Sequence, residues 1–215
     1  MKQFLGKMEN GFTIIELVIS IFVLSVGIVG IFSVFSMVTI LTSSTTDRLT
    51  ATYLAQEGQE IVRNIRDTNW LNMDAYYCTS EIVPEDTDTC PASWLDGLAL
   101  FAANGIDCTN GCEADYTSNS MLGGSGNYLY LNGDGFYDYT NDGINLPTKF
   151  KRKITITQVT DVDEDPNHII KVIVQVSWDK KATILSQGAD ADDCNPENCI
   201  ITESTLYDWY NYVHH

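Results

Sequence analysis

The stretch that decides the fold is residues 11–41, GFTIIELVISIFVLSVGIVGIFSVFSMVTIL. From residue 17 to residue 41 it contains no Asp, Glu, Lys, Arg, His or Pro. As a helix these residues extend about 38 Å at about 1.5 Å per residue. A bilayer core of about 30 Å requires about 20 apolar residues. The stretch is therefore long enough to span a membrane, and Glu16, its one charge, lies at its start.

The charges that flank this stretch predict its orientation. Lys2 and Lys7 precede it, whereas the charges of Asp47 and Arg48 just after it cancel. The positive-inside rule therefore keeps the N-terminus cytoplasmic and places the C-terminal part outside. A cleaved secretory signal has an apolar region of only about 7–15 residues. Any processing is expected before the run, between Gly11 and Phe12, and an uncleaved signal anchor is the alternative.

The rest of the chain has the composition of an acidic extracytoplasmic domain. About 150 of the 215 residues follow the N-terminal element, enough for one globular core. The formal net charge is −17, from 12 basic and 29 acidic residues. Such a surface repels nucleic acid phosphates, so contact with nucleic acid is not favoured. A local basic patch at residues 149–153 (KFKRK) is the exception.

The six cysteines fall into three groups along the chain: Cys78 and Cys90, Cys108 and Cys112, Cys194 and Cys199. An even number of cysteines in acidic, Gly- and Asn-rich segments favours disulfides in an oxidising compartment. Zinc ligands and free thiols are the alternatives, although zinc sites prefer tighter spacing and nearby histidines. Among the 15 possible pairings we expect the local one within each group.

The heptapeptide Gly11-Phe12-Thr13-Ile14-Ile15-Glu16-Leu17 resembles the class III signal sequence of type IV pilins and of type II secretion pseudopilins. The resemblance implies that a prepilin peptidase cuts after Gly11 and methylates the new N-terminus at Phe12. It also implies that Glu16 directs assembly with other pilin subunits on an inner-membrane platform. The protein would then be a membrane protein first and a filament subunit afterwards.

A physical reason supports the assembly role of Glu16. A carboxylate costs about 2.5–3.5 kcal/mol at mid-membrane on insertion scales and less near an edge. The amine of Phe12 on an adjacent subunit would offset that cost and set the stagger between subunits. Stabilisation of the helix N-terminus by an acidic residue is the simpler alternative. Many major pilins have a helix-bending proline where this chain has Ser33, which favours a minor pilin or a pseudopilin. Residues 19–27 most resemble minor pilins of the type IV pilus modification kind, and a type II secretion pseudopilin is the alternative.

The helix is predicted to continue to Asp67, because apolar residues recur at three- and four-residue steps beyond the apolar run. Gly58 on that face would be a close-approach or flexing point. The predicted organisation is a leader (1–11), a helix (12–67, with 17–41 in the membrane) and a globular domain (68–215).

Strand signals are concentrated in the C-terminal half. Residues 153–160 and 169–178 alternate with a period of two, around an acidic tip at 161–165. Residues 128–131 and 182–186 are predicted strands, 200–207 a strand or short helix, and 93–103 a short helix. The predicted fold class is α+β, type IV pilin-like. An antiparallel sheet of three or four strands, at about 128–207, packs on the amphipathic half of the helix.

The sequence holds a weak metal candidate and no candidate for catalysis. Asp134, Asp138 and Asp142 lie near glycines, which suggests calcium, but neither frame fits an EF-hand loop. An acidic turn is the favoured interpretation. No Ser-His-Asp, Cys-His or metal-ligand pattern stands out, so we expect neither enzymatic activity nor a cofactor. Trp209, Tyr210 and Tyr212 are expected to pack in the core or at a sheet edge.

Overall fold

The computed structural model describes residues 11, 13–73, 91, 93–98, 106–159, 169–183 and 187–208. The chain divides into two compact units, Met1–Thr45 and Thr46–His215. Helix α1 spans Ile14–Met73. In the first unit its large apolar side chains are exposed.

In the second unit, one face of α1 is buried against the sheet. Its buried residues follow the predicted three- and four-residue spacing: Ala51, Leu54, Ala55, Gly58, Ile61, Val62, Ile65, Arg66 and Trp70. Gly58 marks the closest approach, since a Cβ there would lie 2.8 Å from Cγ1 of Val174. Of the two roles predicted for Gly58, the structure shows close approach.

The helix ends six residues later than Asp67 because its last turns make tertiary contacts. The side-chain amide of Asn69 donates to the carbonyl oxygens of Trp94 and Asp96, at 3.1 and 2.7 Å. The buried ring of Trp70 stacks on that of Trp94, with centroids 5.9 Å apart. These contacts lie within residues 93–98, which form turns instead of the start of the predicted helix.

The described residues form a seven-stranded antiparallel sheet. Its strands are β1 (Cys112–Glu113), β2 (Leu122–Gly123), β3 (Tyr128–Leu131), β4 (Tyr137–Asp138), β5 (Leu146–Gln158), β6 (Ile169–Trp178) and β7 (Cys199–Tyr207). Strand β5 is central: β6 pairs along one edge, and β3 and β1 share the other. Strand β7 pairs with β6.

The period-two pattern predicted for β6 fixes which face is buried. Val172, Val174, Val176 and Trp178 are at most 1% exposed. They lie in register with alternate residues of β5, from Ile156 to Phe150. Together with the buried face of α1 these residues make one hydrophobic core. The chain therefore has the predicted pilin-like α+β fold.

The sheet is larger than the three or four strands predicted, mainly because the two-residue strands β1, β2 and β4 give no periodic signal. Strand β5 also begins seven residues before the predicted residue 153. Of the predicted strand 182–186, the structure describes only positions 182 and 183, which lie outside the seven strands, although 183 forms an isolated bridge. They lie in a narrow loop that Lys180 and Ala189 close through two backbone hydrogen bonds. The ambiguous segment 200–207 is part of β7.

Two of the three expected disulfides are present, Cys108–Cys112 and Cys194–Cys199. Each joins a loop cysteine to the first residue of a strand, β1 and β7 respectively. Cys78 and Cys90, the acidic tip at 161–165, and Trp209, Tyr210 and Tyr212 lie outside the described residues.

Candidate assembly and processing site

The first turn of α1 is capped by the residue just before it. The backbone N–H of Glu16 donates to Oγ1 of Thr13 at 3.4 Å, and the N–H of Leu17 donates to the carbonyl oxygen of Thr13. Thr13 is thus the N-cap, and Glu16 stands three residues later, the spacing of a capping box. A carboxylate in a first helical turn also interacts favourably with the helix dipole. The T-x-x-E spacing could have revealed this cap from the sequence.

The cap uses the backbone N–H of Glu16, so its carboxylate remains available for another partner. Glu16 is exposed, and its backbone carbonyl accepts a hydrogen bond from Oγ of Ser20 at 2.8 Å. Gly11, the predicted cleavage residue, is also exposed, and a Cβ there would meet nothing within 4 Å. Phe12, the predicted methylation site, lies outside the described residues.

The hydroxyl side chains in the apolar run and just after it bond to the helix backbone. Hydroxyls at seven positions donate to a carbonyl oxygen three or four residues earlier: Ser20, Ser25, Ser33, Ser36, Thr39, Thr42 and Thr45. In lipid a hydroxyl without a partner costs free energy, and this bond supplies one within the helix. The first unit therefore exposes an apolar surface on which these seven hydroxyls already have hydrogen-bond partners.

By length and composition α1 can cross a membrane, and its most apolar segment is not buried. Gly27 and Gly30 have open space where a Cβ would stand. At Ser33, Oγ bonds to the carbonyl oxygen of Val29 at 3.0 Å, and α1 contains no proline. Small residues of this kind allow helices to approach closely within a membrane.

The second half of α1 is joined to the sheet through Arg152. This side chain is fully buried, and its Nη1 donates to the carbonyl oxygen of Leu54 at 3.2 Å. Its Nη2 donates to the carbonyl oxygen of Ala114, just after β1, at 2.6 Å. Nη1 also lies 3.4 Å from Oε2 of Glu57. One guanidinium thus connects α1, β5 and the end of β1.

A second polar contact joins α1 to the opposite side of the sheet. The side-chain amide of Gln59 donates to the carbonyl oxygens of Val172 in β6 and Thr202 in β7, at 3.4 and 3.2 Å. Its Oε1 accepts a hydrogen bond from Oγ of Ser204. Sequence analysis missed Arg152 and Gln59, because neither type of residue signals burial.

The three carboxylates of the calcium candidate have different surroundings. Asp138 is buried, and its oxygens accept hydrogen bonds from the side-chain amides of Asn132 and Asn145. Oδ1 of Asp142 accepts from the N–H groups of Ile144 and Asn145, at 2.8 and 2.9 Å, and these bonds lower the pKa of Asp142. Asp134 is exposed in the turn between β3 and β4. No cluster of potential metal ligands occurs within the described residues.

The basic patch at 149–153 is largely engaged inside the domain. Nζ of Lys149 lies 2.6 Å from Oδ1 of Asp47, and Nζ of Lys151 lies 2.5 Å from Oδ1 of Asp192. Arg152 is buried, as described above. These contacts engage three of the patch's four cationic groups inside the domain.

A comparison with family models identifies a signature that contains the first turn of α1. Residues 6–32 match the prokaryotic N-terminal methylation motif. The chain carries the type IV pilin and pseudopilin signature. The matched range contains Gly11, Phe12 and Glu16. The signature implies processing by prepilin peptidase and assembly with other pilins. A long apolar helix that bears it fits a single-pass, membrane-anchored protein. No curated protein and no solved structure matches the chain.

Proposed function

We propose that the protein is a structural, minor subunit of a type IV pilus, cleaved after Gly11, methylated on Phe12 and assembled through α1. The observation that carries the proposal is the signature at residues 6–32 on a helix whose other half supports a pilin-like domain. Pilin-family proteins are structural, so we infer that this subunit is a substrate of the peptidase and not itself an enzyme.

The exposed start of α1 supports the assembly step. Glu16 is the one charged group from residue 13 to residue 46, and its carboxylate is exposed beside an apolar surface. In a low-dielectric bundle of helices, the methylated amine of a neighbouring subunit is a suitable partner for it. Ser33, where many major pilins have a helix-bending proline, favours a minor pilin or a pseudopilin over a major pilin. A type II secretion pseudopilin has the same signature and is the second candidate.

Mass spectrometry of the full-length protein, co-expressed with a prepilin peptidase, tests the proposal. We expect a product that begins at Phe12 and carries one added methyl group. The Gly11→Leu variant should remain uncleaved, whereas Gly27→Leu, in the same helix, should be processed normally. An unprocessed wild-type protein, or a Gly11→Leu protein of mature length, would contradict the proposal. Loss of pili or loss of secretion in a deletion strain then separates the two candidates.

A further inference from the structure

Strand β7 lies at an edge of the sheet and carries none of the features that usually block strand pairing. It is nine residues long, its register with β6 is unbroken, and its sequence CIITESTLY contains neither lysine nor proline. Among the described strands, only β6 pairs with it. On the far side of β5, by contrast, the sheet ends in the two-residue strands β2 and β4. Short edge strands, lysine and proline prevent edge pairing in natural proteins, and β7 has none of these protections.

The ladder between β6 and β7 shows which backbone groups of β7 point away from the sheet. The N–H of Trp178 donates to the carbonyl oxygen of Asn198, so these two residues form a hydrogen-bonded pair in the register of the two strands. Such pairs alternate along an antiparallel ladder. The even-numbered residues of β7 therefore bond to β6. The N–H and C=O groups turn outward at four odd-numbered residues: Ile201, Glu203, Thr205 and Tyr207.

The side chains of these four residues share one face of the sheet, and all four are exposed. Ile201 is 60% exposed and Tyr207 is 55% exposed, at opposite ends of the group. Between them, Oε1 of Glu203 lies 2.7 Å from Nζ of Lys171 in β6. The edge thus presents two apolar side chains around a centre whose charge is balanced locally, although the whole chain carries a net charge of −17.

The edge is complementary to itself when two copies of β7 pair antiparallel about a two-fold axis at Ser204. Ile201 then lies opposite Tyr207 of the second copy, and Glu203 lies opposite Thr205 of the second copy. Pairs of an aromatic with a β-branched residue stabilise a sheet, and a threonine hydroxyl can donate to a carboxylate. A slip of two residues in one direction brings the two copies of Glu203 together, which is destabilising. A slip in the other direction moves Ile201 past the end of β7.

The second half of α1 leaves room for such a pair. Its closest approach to the sheet, at Gly58, is to Val174 in β6 and Arg152 in β5, so the helix lies over the interior of the sheet and not over the edge. In the pair, the two β6 strands would be three strand spacings apart, about 14 Å. A helix with its side chains is about 10–12 Å in diameter. The two helices therefore fit side by side on one face.

We propose that β7 is a pairing edge for a second copy of this chain, and that two domains join there into one continuous antiparallel sheet with Ser204 on the two-fold axis. The partner is a second copy because, in this register, the four outward residues of β7 pair completely with one another and contribute about eight backbone hydrogen bonds. The axis directs the second halves of the two α1 helices oppositely, whereas subunits repeated by a single screw step keep one polarity. The contact is therefore distinct from assembly through α1 and does not depend on the proposed function.

Crosslinking of the full-length protein tests the proposal and its register. Single copies are placed in separate nanodiscs, so that the apolar run of one copy cannot reach that of another. Discs that contain Ile201→Cys are mixed with discs that contain Tyr207→Cys and treated with a short thiol-specific bismaleimide, and the wild-type protein sets the background. We expect dimers in the mixture and only background in either variant alone, because identical positions lie about 20 Å apart along the paired strands.

A charge variant tests the same register without added cysteine. Thr205→Glu places a carboxylate opposite Glu203 of the second copy, twice in each pair. We expect the association constant, measured by sedimentation of the discs, to fall about tenfold. Ser125→Glu adds the same charge at an exposed position outside β7 and should leave the association constant unchanged.

Three results would overturn the proposal. One is an absence of dimers in the mixture, as when another segment of the chain or an unlike partner strand occupies the edge. Another is equal crosslinking in the mixture and in either variant alone, and the third is an equal association constant for Thr205→Glu and Ser125→Glu. Separate discs contain no filament, and the measurement does not require cleavage after Gly11. A failure of the proposed function would therefore leave these results unchanged.

Discussion

Nη1 of Arg152 lies 3.4 Å from Oε2 of Glu57, beneath the helix that carries the domain. Arg152 is fully buried, whereas the side chain of Glu57 is 32% exposed. The pair therefore combines a desolvated cation with a partly hydrated anion. Since the same guanidinium also bonds to the carbonyl oxygens of Leu54 and Ala114, it fixes how α1 lies on the sheet.

Truncation of Arg152 should be among the most damaging changes in the domain. Arg152→Ala leaves the carbonyl oxygens of Leu54 and Ala114 without this donor and opens a cavity. We expect it to lower the free energy of unfolding by about 2–5 kcal/mol, the range for truncation of a large buried side chain, with the unpaired carbonyl oxygens contributing. Arg152→Met fills the space and should cost less. Denaturant titration of the full-length protein in micelles measures both, and equal stability of wild type and Arg152→Ala would contradict the role of the guanidinium.

Gly58 should not tolerate a methyl group, even though alanine favours helix. Alanine gains about 1 kcal/mol of helix propensity. Its Cβ, however, would stand 2.8 Å from the stiff side chain of Val174 and 3.2 Å from Cδ of Arg152. Overpacking typically costs about 1–3 kcal/mol, so we expect a net loss of about 1 kcal/mol. Gly133→Ala is the control, because a Cβ there would meet nothing within 4 Å. A Gly58→Ala variant more stable than the wild type would show that the side chains of Val174 and Arg152 move aside at little cost.

Tyr139 should make the domain sensitive to alkaline pH. Burial raises the pKa of Tyr139 from 10.0 to about 12, and its hydroxyl donates to the carbonyl oxygen of Arg152 at 3.2 Å. The folded state therefore keeps a proton that the unfolded state releases, so stability is retained below pH 10 and falls as pH rises toward 12. One pH unit corresponds to about 1.4 kcal/mol, and since the ring is only partly buried we expect a loss of about 1–2 kcal/mol.

The difference between two variants isolates this effect from other titrating groups. Tyr139→Phe should be less stable near pH 8 because it lacks the hydrogen bond, by about 1 kcal/mol. Between pH 9 and pH 11.5, however, it should lose less stability than the wild type. Tyr207→Phe, at a tyrosine that is 55% exposed, should follow the wild-type profile. Identical pH profiles of the wild type and Tyr139→Phe would refute the assignment.

The features that the sequence predicted well are those in which one residue type repeats at a fixed spacing. The alternation in β6 predicted Ile169–Trp178 to the residue, and the spacing from Ala51 to Ile65 predicted the buried face of α1. Local cysteine spacing likewise predicted Cys108–Cys112 and Cys194–Cys199. These patterns follow from burial of one face or from short loops, both of which are local.

The features that the sequence missed depend on contacts between distant residues. Helix α1 continues to Met73 because Trp70 stacks on Trp94, which is 24 positions away. Arg152 was counted within a basic patch, although the fold buries it beneath Leu54. The Thr13 cap is different, since the T-x-x-E spacing that indicates it is local and present in the sequence.

The assembly role of Glu16 is the central claim, and the amount of protein in sheared filaments tests it most directly. Glu16→Ala removes the exposed carboxylate but leaves Thr13 and its backbone bonds to the first turn in place. We predict normal processing of this variant, normal abundance in the membrane and strongly reduced content in filaments. Glu60→Ala, at an exposed carboxylate paired with Arg63, should assemble like the wild type. Filament content of Glu16→Ala equal to that of Glu60→Ala would contradict the claim.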